Sequence, residues 1–198
     1  MTRRPNEDSA LIPRMTRDEL TEFVARAIDT LTEKDALAIL ANFFCTSRMC
    51  QMLADDARIS SFYLVRSKLA IHQATPLTYA LKLVHYLHWN DVVRFSIDVR
   101  IHPAVRQAMD VYLISRLAKL AVGQRISSAR TCSREIGKRL MEDPEPRVFS
   151  ALLNNAQVRE EDLAHLVTSE RAAVAQLRML GDHGKWSCRY SIRRALAL

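Results

Sequence analysis

The chain has 198 residues, 48% of them hydrophobic, with only 4 Gly and 6 Pro. That length and apolar content suit one sizeable core or one short solenoid, and so few turn residues exclude a many-stranded sheet protein. The net charge of +7 is concentrated: residues 61–140 carry 13 Lys and Arg against 4 Asp and Glu, while residues 1–60 carry 8 against 10 and residues 141–198 carry 8 against 8. A local positive field of this kind suits nucleic acid, an acidic protein or an anionic surface.

Residues 1–14 are polar, hold two prolines and show no period, which predicts a flexible arm ahead of a single helical domain over 15–198. There is no apolar leader in MTRRPNEDSALIPR and no stretch apolar enough to span a bilayer, so the expectation is a soluble cytoplasmic protein with no membrane partner. The first helix starts on a capping box, Thr16 with Glu19, and a staple, Met15 with Leu20. Leu20, Phe23, Val24, Ala27 and Leu31 form its apolar stripe. Thr32 caps the second helix, with Asp35 in its first turn; a short helix covers Ser47 to Asp55, and another runs from about Ser60 to Ile71.

Thr75-Pro76 restarts the chain toward Trp89, Asn90 or Asp91 opens the next helix, and His102-Pro103 launches a long one to Val122, stopped by Gly123. Ser127 or Ser128 begins a helix to Met141, and Asp143-Pro144 one to about Asn155. Two helices or more follow, the last over Ser187 to Leu198. The count is about eleven short helices with short connectors, as in helical repeats.

Leu31–Ile71 and Val158–Leu198 align without a gap at an offset of 127 residues, with 10 identities in 41 positions. About 3 would arise from ordinary composition. The matches include Asp35 with Asp162, Tyr63 with Tyr190 and Arg66 with Arg193. An acid and a guanidinium kept at one separation predict two structural ion pairs, Asp35–Arg66 and Asp162–Arg193. The two tyrosines are expected in the core. Beyond the second copy no further helix covers Ile192, Leu196 and Leu198, which suggests self-association through the C-terminal helix.

The cysteines, Cys45, Cys50, Cys132 and Cys188, form no CxxC pair and have no His at zinc-finger spacing, so they read as reduced and mostly buried thiols. His85, His88 and Asp91 would share one face of a continuous helix, but no further ligand is visible. No phosphate loop, dinucleotide fingerprint, HExxH or nucleophile–base signature is present, so neither catalytic residues nor a cofactor or metal are expected.

The stretch LMEDPEPRVFSALL, Leu140 to Leu153, resembles the inter-helix turn of a HEAT repeat, and HPAVRQAMDVYL, His102 to Leu113, has the same look. The final blocks ALLNNAQVREEDL and KWSCRYSIRRAL are similar to bacterial proteins built from HEAT-like or leucine-rich-repeat-variant units. The resemblance covers Thr32 to Leu198 and implies an all-α solenoid of stacked HEAT-like repeats with a binding surface. The expected function is a non-catalytic protein–protein interaction scaffold for an acidic protein. The alternative is a nucleic-acid-binding module using a basic face in residues 94–139. Arg94, Arg100, Arg106, Arg125, Arg130, Arg134 and Lys138 would form that face, with Arg130, Arg134 and Lys138 on one side of one helix.

Overall fold

The computed structural model describes residues 11–169 and 172–197. Among these the regular structure is entirely helical, with fourteen α-helices and three short 3-10 helices. The chain forms two compact units.

The first unit runs through Asp91 and takes in Val99–Ala108. A 3-10 helix, Ile12–Arg14, leads into α1 (Arg17–Ala27), α2 (Glu33–Ala41), α3 (Ser47–Asp55), α4 (Ala57–Ser61), α5 (Tyr63–Ile71) and α6 (Leu77–Val84). The expected caps form. Glu19 accepts the Thr16 backbone N–H at 2.8 Å, and Asp35 accepts that of Thr32 at 2.9 Å. Each bond satisfies an amide next to a helix start that the helix itself cannot pair. Helix α2 packs on α5, and α5 on α6, around Ile39, Leu53, Ile59, Val65 and Leu69, all fully buried. Residues 1–10 of the expected arm lie outside the described residues. Ile12, assigned to that arm, is fully buried instead, and the Asn42 side chain donates to its carbonyl at 2.7 Å.

In chain order α7 (Trp89–Ser96) and α8 (Pro103–Ile114) follow, then α9 (Val122–Thr131), α10 (Arg134–Leu140), α11 (Pro146–Leu152), α12 (Glu160–Thr168), α13 (Val174–Asp182) and α14 (Tyr190–Leu196). The second unit comprises Val92–Asp98 and the chain from Met109 onward. Within it α9 packs on α11, α11 on α13, and α12 and α13 on α14. Three buried side chains tie its turns by donating to backbone carbonyls. Asn155 bonds Ala129 at 2.9 Å and Cys132 at 3.1 Å, Gln176 bonds Met141 at 2.7 Å, and Trp186 bonds Leu153 at 2.8 Å. Buried carbonyls left without such donors would each cost about 1–3 kcal/mol.

Two expected helices are broken. The one launched at Pro103 ends at Ile114 because the Ser115 hydroxyl bonds the Tyr112 carbonyl at 2.8 Å, and a 3-10 helix, Leu117–Lys119, follows. Gly123 then sits in the first turn of α9 rather than stopping a helix. The helix expected from Ser127 or Ser128 to Met141 breaks at Cys132–Ser133, where the Ser133 hydroxyl caps a new start by accepting Ile136 N–H. Ser128 is buried inside α9. Tyr190 is 78% exposed, not a core residue, whereas Tyr63 is half-buried.

Candidate functional site

The break at Cys132–Ser133 decides the expected basic stripe. Arg130 lies on α9 while Arg134 and Lys138 lie on α10, so the three do not share one helix face. Carboxylates engage several of these cations. Arg134 makes a bidentate contact with Asp162, both bonds at 2.8 Å, and its pKa is raised by that pairing. Arg125 meets Asp143 at 2.8 Å, and Lys138 meets Glu135 at 2.9 Å. Arg106 donates to the Ile101 carbonyl at 3.2 Å, and the Arg94 guanidinium lies 4.8 Å from the Phe95 ring centre. Arg100 and Arg130 are exposed. Arg100 and Arg106 belong to the first unit, and Arg94, Arg125, Arg130, Arg134 and Lys138 to the second.

The expected ion pairs have other geometry. Asp162 is held by Arg134, not by Arg193, and this holds its carboxyl below the usual range. Arg66 donates to the Ser60 carbonyl at 2.9 Å and lies over the Tyr86 ring at 4.8 Å, while Asp35 accepts from the backbone and hydroxyl of Thr32. A separation repeated in two copies fixes a position along the chain, but it does not bring two side chains together. His85, His88 and Asp91 share no helix face either, because α6 ends at Val84. Instead Tyr63 packs edge-on against His88 at 4.0 Å and donates its hydroxyl to Asp91.

The connector between α2 and α3, residues 42–46, gathers more chemistry than the basic residues do. Asn42 anchors it from below, its amide donating to the carbonyls of Ile12 and Met15 and its oxygen accepting Phe44 N–H at 2.8 Å. The two phenylalanines that follow turn outward. Phe43 is 93% exposed and Phe44 44% exposed, and the rings meet edge to face at 5.4 Å. Cys45 turns back toward the protein. Its Sγ lies 3.7 Å from Sγ of Cys50 in the first turns of α3, and Cys50 Sγ lies 3.6 Å from Nδ1 of His72, just beyond α5. The three donor atoms all fall within 4.8 Å of one another.

Two buried thiols of the chain behave oppositely. The hydrogen bond from Cys45 brings the Cys50 thiol down to about 5, with His72 and Thr75 helping and burial opposing. The same contact pushes Cys45 up, and the bond to Cys50 raises His72. Burial pushes Cys132 up to about 12, so that thiol is an inert packing group. The Thr75 hydroxyl is buried beside Cys50 and makes no hydrogen bond of normal geometry. His72 and Thr75 also line a cleft of about 230 Å3 with Arg100, His102, Leu77 and Val105. Two sulfurs and an imidazole nitrogen can hold a soft divalent ion, and the two thiols are near enough to be oxidised together.

Sequence reasoning missed this cluster because its members are 5 and 22 residues apart and match no standard spacing. The available signal was a cysteine just ahead of a helix start, another one turn into that helix, and a histidine closing the helix packed beside it. No protein-family model, curated protein or solved structure matches the chain.

Proposed function

We propose that the chain is a non-catalytic protein-binding scaffold whose point of contact is the α2–α3 connector. The exposure of Phe43 and its edge-to-face partner Phe44 carries this reading. An aromatic side chain left in water forgoes about 1.5–3 kcal/mol of burial, which docking recovers. Aromatic anchors of this kind dominate interface energies. The anchors stand on a connector that Asn42 pins to two carbonyls, so little ordering entropy is lost on binding. The cationic excess of residues 61–140 supports an acidic partner.

The nucleic-acid reading draws on that same excess. It has weaker support, because Arg125, Arg134 and Lys138 already meet carboxylates. The experiment is affinity capture from native extract with the wild-type chain and with Phe43→Ser/Phe44→Ser, read by quantitative mass spectrometry. The double variant should keep its melting temperature and lose the proteins that the wild type holds. Retention of the same proteins at the same level would overturn the reading.

A further inference from the structure

We propose that Cys45, Cys50 and His72 form a binding site for a single zinc-class divalent cation, a site distinct from the aromatic contact surface above it. The geometry carries the inference. A tetrahedral zinc ion with Zn–S of about 2.3 Å and Zn–N of about 2.0–2.1 Å places its donors about 3.8 Å apart for two sulfurs and about 3.5 Å apart for sulfur and nitrogen. The corresponding separations here are 3.7 Å between Cys45 and Cys50 and 3.6 Å between Cys50 and His72. The two edges that meet at Cys50 therefore have the lengths of a coordination tetrahedron, and the third, from Cys45 to His72, lies within 4.8 Å.

The surroundings fit the same ion. The Ala74 backbone N–H points at His72 Nδ1 at 3.2 Å, which marks that nitrogen as the one carrying a lone pair. An ion would take over this lone pair by displacing the Ala74 N–H. The Thr75 hydroxyl is buried without a hydrogen-bond partner and would gain one by turning to a Cys50 thiolate. The donor set of two sulfurs and one nitrogen favours zinc-class ions over magnesium or calcium, which take oxygen. Cys45 is half-buried, so the ion has a way in, and three protein ligands leave one position for an exchangeable fourth. The bound ion would staple the α2–α3 connector to the turn after α5.

The second copy argues that these side chains are not there for packing alone. The positions of Cys45 and Cys50 at the 127-residue offset are Ala172 and Leu177. Aliphatic groups serve at the same register there, so the fold has no need of thiols.

The test is cobalt titration of the reduced full-length chain carrying Cys188→Ser, which removes the exposed thiol, followed by displacement with zinc. One ion per chain should bind, giving tetrahedral ligand-field bands and thiolate-to-cobalt charge transfer. Thr75→Val should weaken binding about tenfold, and Cys45→Ala or His72→Gln should weaken it more than the about 100-fold that loss of an outer-shell group can cost. In the unmutated chain zinc should slow alkylation of Cys45 but not of Cys188, a readout that needs no variant to fold. Absence of the bands in folded protein, bands that survive Cys45→Ala, or zinc that leaves Cys45 alkylation unchanged would overturn the site.

Discussion

The two copies of the duplicated stretch start three of their helices in the same register and differ in connector chemistry. Helices α2 and α12 begin at Glu33 and Glu160, α3 and α13 at Ser47 and Val174, and α5 and α14 at Tyr63 and Tyr190, each pair 127 residues apart. The same helices pack together: α2 on α5 and α12 on α14, α3 on α5 and α13 on α14. The differences lie between the helices. Thr46 caps α3 through its hydroxyl, whereas Ala173 opens α13 with its N–H bonded to Gln176. Asp56 accepts Ile59 N–H and starts α4; the aligned His183–Gly184 gives only a run of turns. Ile59 and Trp186 nevertheless occupy the same position and both point inward, buried. The helices and their inward anchors thus define the building block, and the connectors carry what is particular to each copy.

The strongest way to break that equivalence is to truncate the two anchors. Trp186→Ala should cost about 3–5 kcal/mol and Ile59→Ala about 2–5 kcal/mol in urea unfolding. The larger loss belongs to Trp186, which also gives up its bond to the Leu153 carbonyl. If either substitution were neutral, the two positions would not be counterparts.

An exchange of the helix starts sharpens the comparison at smaller scale. Thr46→Ala should lower stability by about 1 kcal/mol, while Ala173→Thr should raise it by about 0.5–1 kcal/mol. Ala173 already has the extended backbone of a capping residue, φ −74° and ψ 144°, so a hydroxyl can reach the next turn. Stability unchanged in both variants would mean that the two starts are not interchangeable.

The smallest effect separates Asp35 from Asp162. Arg134 lowers the folded pKa of Asp162, so the stability this carboxylate adds is fully present above the ordinary unfolded value of about 3.9 and is lost as pH falls through the lower folded value. Wild-type stability should therefore drop more steeply than that of Asp162→Asn as pH falls below the unfolded value of about 3.9. Equal slopes in acid urea titrations would show that Arg134 does not protect the folded carboxylate.

The sequence was most legible where a local rule decides the structure. The expected capping box formed at Thr16 with Glu19, and Thr32 capped its helix as expected, with Asp35 closing a second box, because each pair satisfies amides within one turn. It was least legible where a single hydroxyl overrides a periodic pattern, as Ser115 does after α8 and Ser133 does before α10. The partner of Asp162 could not be read either, since Arg134 reaches it from another helix 28 residues away. The thiol–imidazole cluster depends on the packing of α2, α3 and α5, and no spacing along the chain encodes that juxtaposition.

The central claim is that the first copy has turned its connector into a soft-donor site on a shared helical frame. X-ray absorption at the zinc edge of the zinc-loaded full-length chain carrying Cys188→Ser tests it most directly. Two sulfur neighbours at about 2.3 Å and nitrogen at about 2.0–2.1 Å are predicted, with one sulfur lost in Cys45→Ala. A first shell of oxygen and nitrogen alone, or two sulfurs that persist in Cys45→Ala, would contradict it.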